Sequence, residues 1–271
     1  MGAVDRIGDR LRRADARRER MLVVYLTLGD PLPGSPVEAA VAAVEAGADM
    51  VELGLPTPST RPRGALVRES FERAAGLGEE RVWGLLGEIR EALPRTPILP
   101  LVYPRTVDDL GWDRLVRCSR EAGVDGLVLA GPRGPEEVER VAAADLSAVP
   151  LIGPSAADAG RLEAAAGHMT YRGLAARTGE RLDLAEARRA VAALAATAGK
   201  PFLAGFGIRD EHEIRALAPH AAGLVVGSRL LELLGAAEPR DRLDTLRANV
   251  RRWKDATRLR ERKREDGCGS T

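Results

Sequence analysis

Two kinds of hydrophobic segment alternate along most of the chain. The first kind is short and almost continuously apolar, rich in valine, leucine and isoleucine, as in MLVVYLTL at residues 21–28. Apolar runs of this length are typical of strands in a parallel sheet that is buried on both faces. The second kind has helical periodicity and is rich in alanine, glutamate and arginine, as in SPVEAAVAAVEAG at residues 35–47. The other predicted strands are ADMVELGL, TPILPLVY, VDGLVLAG, AVPLIGP, HMTYRGL, KPFLAGFG and AGLVVGS.

About eight strand–helix units at short spacing predict an α/β protein, a single (β/α)8 TIM barrel. A doubly wound open sheet is the competing fold, because alternation alone does not prove closure. The motif EAGAD at residues 45–49 recurs as EAGVD at residues 121–125, each time just before a predicted strand. The glycine of each motif can end a helix in a left-handed conformation, and Asp49 and Asp125 suit the turn that follows. This repetition indicates repeated βαβ units.

Both ends of the chain lie outside this series. Residues 6–19 predict an amphipathic helix that covers the amino-terminal end of the barrel, so the barrel domain is expected to span residues 1–237. Residues 238–271 read as a charged helical extension, with the basic stretch RRWKDATRLRERKRED. Acidic residues interrupt its positive charge and it has a single aromatic residue, Trp253, which favours a solvated helix over an RNA contact or an acidic partner.

The composition excludes several classes of protein. The chain has 271 residues, of which 45% are hydrophobic, and a net charge of +1, which gives no drive toward nucleic acid or anionic lipid. No apolar run reaches the roughly 18 residues of a membrane span, and no secretory signal is present. Two cysteines cannot form a disulfide framework, and the three histidines have no metal-site spacing. We therefore expect a reduced cytoplasmic protein without a metal or a cofactor.

Three segments that follow late strands predict a phosphate site. Gly205-Phe206-Gly207-Ile208 follows the seventh strand, Gly227-Ser228 follows the eighth and opens a helix, and Thr178-Gly179 follows the sixth. In barrels a phosphate commonly binds between the loops after strands 7 and 8, where backbone N–H groups and a helix amino terminus face the anion. Each of these three segments alone has a simpler interpretation, since a glycine after a strand often just forms a turn and Ser228 could simply be the cap of its helix. The predicted phosphate-binding residues are Thr178, Gly179, Gly207, Gly227 and Ser228.

One carboxylate interrupts a buried strand. Glu52 lies within Met50-Val51-Glu52-Leu53-Gly54, where a charge is costly unless it is paired or faces an open site. A position near the carboxyl end of a barrel strand would desolvate the group and raise its pKa into the range useful for proton transfer. The alternative is a polar plug tied to an arginine or a backbone amide. The loop that follows, PTPSTRPRG at residues 56–64, is either a proline-stiffened solvent loop or a lid whose Arg61 and Arg63 meet an anion.

These segments resemble the tryptophan synthase alpha subunit family along nearly the whole barrel. The matching stretches are residues 25–31, 45–56, 178–179, 205–208 and 226–228. The resemblance implies a (β/α)8 barrel that splits indole-3-glycerol phosphate into indole and glyceraldehyde 3-phosphate and usually passes indole to a beta subunit. It also implies that Glu52 is the general acid–base, that Tyr25 and Leu101 line the indole pocket, and that Tyr103 and Tyr171 lie nearby.

The loop after Glu52 departs from the family. The family's second catalytic carboxylate, an aspartate that accepts a hydrogen bond from the indole N–H, falls on Arg63. An arginine offers only donors, so Arg63 would act at this catalytic position in another way. The same loop helps the family to dock its beta subunit, which puts that partnership in question, and Gly131 replaces an aspartate after strand four.

Two other functions remain open from the sequence. The chain could act on a different phosphorylated or diphosphate substrate, for example a prenyl diphosphate, with Arg61 and Arg63 holding the second anionic group. It could also be a non-catalytic ligand-binding subunit.

Overall fold

The computed structural model describes residues 5–30, 35–153, 156–174, 183–205 and 207–259. Its eight strands form one closed parallel barrel in which each strand pairs with the next and β8 pairs with β1. The predicted (β/α)8 barrel is therefore confirmed. The strands are β1 Met21–Thr27, β2 Met50–Gly54, β3 Ile98–Val102, β4 Gly126–Ala130, β5 Ser147–Ile152, β6 Thr170–Gly173, β7 Phe202–Gly205 and β8 Gly223–Val226.

Helices surround the barrel, and short 3-10 turns lie at Ala218–His220 and Pro239–Asp241. The helices are α1 Arg6–Ala16, α2 Pro36–Glu45, α3 Ala65–Arg73, α4 Glu79–Ala92, α5 Pro104–Leu110, α6 Trp112–Glu121, α7 Pro135–Ala142, α8 Ala159–Ala165, α9 Leu184–Thr197, α10 Glu211–Leu217, α11 Ser228–Ala236 and α12 Arg242–Ala256. Within the described residues, no helix is long and apolar enough to cross a membrane.

The two faces of each strand supply two separate apolar clusters. On β1, Leu22 and Val24 pack outward against the helices, whereas Met21, Val23 and Tyr25 point into the barrel interior. All seven residues of β1 are buried, which explains why its sequence is apolar without alternation. The barrel interior is therefore a packed core. In barrels of this type a functional site is expected at the carboxyl-terminal ends of the strands.

The repeated EAGxD motif builds the same structure twice. Gly47 and Gly123 have φ angles of 116° and 71°, as predicted for glycines that end helices. The carboxylates of Asp49 and Asp125 also bind neighbouring strands, a role that the sequence did not indicate. Asp49 accepts a hydrogen bond from the backbone N–H of Leu22 on β1, and Asp125 accepts one from Ile98 on β3, both at 2.8 Å. Each motif thus joins one strand to the start of its neighbour.

Helix α1 closes the amino-terminal end of the barrel, as predicted. Ile7 is buried in the barrel interior cluster. Arg6 forms an ion pair of 3.0 Å with Asp125, and Arg10 lies 3.7 Å from Asp49. The helix is therefore held to the amino-terminal ends of two strands by the carboxylates of the repeated motif.

The prediction of a solvated carboxyl-terminal helix is wrong for α12. Leu246, Val250 and Trp253 are at most 1% exposed, and the helix packs against α2, α10 and α11. These three residues recur at intervals of four and three, so the charged composition hid one apolar stripe. Lys254 adds an ion pair of 2.8 Å to Asp49. The division of the chain after residue 237 stays a prediction, and residues 260–271 lie outside the described part.

Candidate active site at the carboxyl ends of the strands

Glu52 lies inside the barrel on β2, in register with Tyr25 of β1 and Leu99 of β3. Its side chain is almost completely buried, and this desolvation raises its pKa from 4.5 to about 8. No other residue in the described ranges hydrogen-bonds or pairs with its carboxyl group. The alternative interpretation, a plug tied to an arginine or an amide, therefore receives no support there. At neutral pH the group holds its proton.

All three tyrosines of the chain surround this carboxyl group. Burial raises the pKa of Tyr25, Tyr103 and Tyr171. The Glu52 carboxylate, which is ionised in the alkaline range where a tyrosine loses its proton, raises the pKa of all three further. Leu101 belongs to the same interior cluster. Tyr25 and Leu101, which were expected to line the indole pocket, and Tyr103 and Tyr171, which were expected nearby, thus lie in one cluster near Glu52. Their role in substrate binding stays a prediction.

Glycines at three strand ends make room for the tyrosine side chains. A Cβ atom added to Gly54 would lie 2.3 Å from the Tyr25 hydroxyl oxygen, and one added to Gly205 would lie 2.3 Å from that of Tyr171. A Cβ on Gly227 would lie 3.0 Å from the Cβ of Tyr25. A larger residue at position 54 or 205 would have to displace a tyrosine side chain, and one at position 227 would be tightly packed against Tyr25.

A chain of buried hydroxyl groups connects the mouth to helix α3. The Tyr25 hydroxyl lies 2.9 Å from Thr27 Oγ1, which lies 2.6 Å from Ser70 Oγ. Ser70 donates to the carbonyl of Val67 at 2.7 Å. Neither Thr27 nor Ser70 was expected at the site from the sequence. Val67, Ser70 and Phe71 form the buried face of α3, so helical spacing was the available signal for a polar residue facing the barrel.

The predicted phosphate-binding segments lie at adjacent strand ends, because β7 pairs with β8. Gly207 has a φ of 87°, a left-handed conformation that favours glycine. Gly227 is the N-cap residue of α11, and no side chain forms a capping hydrogen bond at this helix end. Ser228 is the first residue of the helix and is half-buried. Ser228 is therefore not the cap that the simpler interpretation required. Thr178 and Gly179 lie outside the described residues.

The loop between β2 and α3 exposes both of its arginines, Arg61 and Arg63. The Arg61 guanidinium donates to the carbonyls of Pro58 and Thr60, each at 2.8 Å, so it stabilises the loop itself. Thr60 is 1% exposed and its hydroxyl lies 3.0 Å from that of Thr106 on α5, which holds the loop against the barrel.

Two further features of the mouth follow from the described residues. Gly131, which follows β4, has a φ of 72°. Any residue with a side chain would be strained in this left-handed backbone conformation. Among the residues that the structure describes, no group of three or more histidine, cysteine, aspartate or glutamate side chains could hold a metal ion.

Fold and site together define a (β/α)8-barrel protein with a desolvated carboxyl group, that of Glu52, among the aromatic side chains near the carboxyl ends of its strands. Residues 11–258 match the family model described as tryptophan synthase alpha chain. The tryptophan synthase alpha chain of Laribacter hongkongensis is 35% identical over 267 residues, which cover 93% of this chain and all of that protein. That of Methylibium petroleiphilum is 35% identical over 88% of this chain and 90% of the relative.

Solved structures agree with these relatives. The tryptophan synthase alpha chain of Legionella pneumophila superposes with a TM-score of 0.81 and 27% identity, covering 94% of this chain and 98% of that one. The chain therefore belongs to the tryptophan synthase alpha chain family. The resemblance noted from the sequence is confirmed, and with it the prediction of a lyase of that family.

Proposed function

We propose that this protein is a cytoplasmic carbon–carbon lyase that splits indole-3-glycerol phosphate into indole and glyceraldehyde 3-phosphate. The observation that carries the proposal is the Glu52 carboxyl group, which is buried, has a pKa raised to about 8 and is surrounded by the three tyrosines. Family membership supports the same reaction.

The reaction requires two proton transfers, and one group can perform both. Cleavage of the bond between the indole ring and the carbinol carbon needs a proton on the ring carbon. It also needs loss of the proton from the hydroxyl group, which becomes the aldehyde oxygen. Protonated Glu52 donates the first proton, and the resulting carboxylate accepts the second, so the enzyme returns to its starting state. A pKa near the working pH suits both steps.

The phosphate group is assigned to the other side of the mouth. Backbone N–H groups of Gly207, Gly227 and Ser228 would face it, and the dipole of α11 favours an anion there. Thr178 and Gly179 lie outside the described residues and stay predicted phosphate-binding residues. Strand β1, which carries Tyr25, pairs with β2, which bears Glu52, and with β8, which leads into Gly227 and Ser228, so the two parts of the proposed site lie on the two neighbours of this strand.

The loop at residues 57–65, which differs from that of the family, affects the expected association with a beta subunit and the two alternative functions. A beta subunit is the expected partner of an alpha chain, and we propose that residues 57–65 weaken that association. Arg63 would serve the mouth as a hydrogen-bond donor. Neither a diphosphate substrate nor a non-catalytic subunit gains support from the relatives, and Arg61 is engaged by carbonyls of its own loop.

The decisive experiment measures indole release from indole-3-glycerol phosphate by purified protein. Glu52→Gln keeps the size of the side chain but cannot transfer a proton, so we expect kcat to fall by about 10²–10⁴-fold with ligand binding retained. Glu45→Gln, an exposed change on α2, is the matched control and should keep full activity. Wild-type kcat should fall as the pH rises above about 8, because Glu52 must start protonated.

Two outcomes would contradict the proposal. Absence of indole from the wild-type protein even at high concentration would exclude the reaction. Full activity in Glu52→Gln would exclude Glu52 as the acid–base group. Association with the cognate beta subunit is measured separately by isothermal titration, and tight binding would contradict the weakened interface.

A further inference from the structure

The hydroxyl chain beneath the mouth has only one possible direction. Ser70 Oγ lies 2.7 Å from the carbonyl oxygen of Val67, and a carbonyl can only accept, so the single hydroxyl hydrogen of Ser70 is used there. Thr27 lies 2.6 Å from Ser70 and must therefore donate to it. Tyr25, at 2.9 Å, must in turn donate to Thr27. Any other arrangement would leave two oxygens in close contact without a hydrogen between them.

This direction determines what Tyr25 presents to the pocket. Its phenol is neutral, since burial raises its pKa well above the ordinary value. Its only hydrogen points toward Thr27 on the barrel wall. The free lone pairs of its oxygen remain, so this hydroxyl acts as an acceptor and not as a donor.

The position of this acceptor matches a need of the proposed substrate. The Tyr25 hydroxyl lies above Gly54, at the carboxyl end of β2, on the strand that bears Glu52. An indole ring held between Glu52 and the phosphate cradle has one polar atom, its N–H, which requires an acceptor once it leaves water. The loop between β2 and α3, PTPSTRPRG at residues 56–64, contains no carboxylate that could accept this hydrogen bond.

We propose that the Tyr25 hydroxyl oxygen accepts the hydrogen bond from the ring N–H of the substrate, with Thr27 and Ser70 holding it in the accepting orientation. Tyr25 is then a specificity residue that selects rings with a donor at this position. Thr27 and Ser70 are positioning residues that do not touch the ligand. The proposal rests on the proposed function, because it assigns the contact of that substrate's ring nitrogen.

The test compares two ligands that differ only in this donor. Isothermal titration measures the affinity for a non-cleavable indole-3-alkyl phosphate and for its benzofuran counterpart, in which an oxygen atom replaces the N–H. We expect the wild-type protein to prefer the indole ligand by about tenfold, the value of one neutral hydrogen bond. Tyr25→Phe should reduce this preference to nearly one, mainly through weaker binding of the indole ligand.

The Ser70→Ala variant tests whether Ser70 orients the Tyr25 hydroxyl group or only supports the packing around it. Without Ser70, Thr27 can donate to Tyr25, whose hydrogen is then free to point into the pocket, and the preference for indole should fall although no contacting atom is lost. Ser119→Ala is the matched control, because Ser119 is a buried helical serine that donates to the Leu115 carbonyl at 2.6 Å on α6. It should keep the wild-type preference.

The outcomes distinguish this proposal from the proposed function. A Tyr25→Phe protein that still releases indole and keeps the wild-type preference would overturn the role of Tyr25 alone. Equal affinity of the wild-type protein for the two ligands, or an unchanged preference in Ser70→Ala, would also overturn it. A wild-type protein that neither binds the indole ligand nor cleaves indole-3-glycerol phosphate would remove the proposed function and this assignment together.

Discussion

Replacement of Glu52 by glutamine should change how stability depends on pH. Burial raises the pKa of this carboxyl group from 4.5 to about 8 in the folded protein, whereas the unfolded chain ionises it near the ordinary value. Between these values the unfolded state has lost a proton that the folded state keeps, so the free energy of unfolding falls as pH rises. One pKa unit corresponds to about 1.36 kcal/mol, so the loss between about pH 5 and pH 8 should be roughly 3–4 kcal/mol.

Urea denaturation at several pH values in this range measures the effect. Glu52→Gln has no titratable group at this position, so the difference between its unfolding free energy and that of the wild-type protein should grow with pH by the amount stated above. The control Glu45→Gln removes an exposed carboxylate and should give a curve nearly parallel to that of the wild-type protein. Parallel curves for Glu52→Gln and the wild-type protein would refute the reasoning, because Glu52 would then ionise normally in the fold.

Three other substitutions test the packing of the fold and the mouth. Trp253→Ala should lower the free energy of unfolding by about 3–5 kcal/mol in urea denaturation, and a loss below about 1 kcal/mol would contradict the burial of α12. Gly205→Ala places a Cβ 2.3 Å from the Tyr171 hydroxyl and should weaken binding of an indole-3-alkyl phosphate, whereas Gly87→Ala, with no atom within 4 Å of the new Cβ, should not. Asp125→Ala leaves Arg90 without its ion-pair partner and should cost about 3 kcal/mol in thermal or urea unfolding; an unchanged midpoint would contradict that role.

The architecture was largely predictable because the signal for it is local. Each strand such as β1 is buried on both faces, so its sequence is continuously apolar, and each glycine such as Gly47 ends a helix through its own backbone conformation. The carboxyl-terminal helix was predicted to be solvated because its charge count concealed Trp253. The burial of this helix depends on which neighbouring helices it packs against. The spacing of its apolar residues indicates a buried face only if that spacing is given more weight than the charged composition.

The sequence singled out some residues of the candidate site but not the contacts that hold them in place. Glu52 stood out because a carboxylate in an apolar strand is costly, and Tyr25 followed from resemblance to a family. The carboxylate of Asp30, which follows β1, is 1% exposed and accepts two hydrogen bonds from Arg73 of α3, at 2.8 and 2.9 Å. Such a pair joins residues distant in the chain, so no local pattern indicates it.

By itself the sequence determined the eight repeated units, the buried carboxyl group and the family, since periodicity, the cost of a misplaced charge and motif matches are all properties of neighbouring residues. Only the tertiary structure decided that three tyrosines from β1, β6 and the end of β3 meet near Glu52, and that the hydroxyl groups of Tyr25, Thr27 and Ser70 lie within hydrogen-bond distance of one another in a row. The reason is that desolvation and hydrogen-bond direction depend on which side chains closure of the barrel brings together, and closure joins strands that are far apart in the chain.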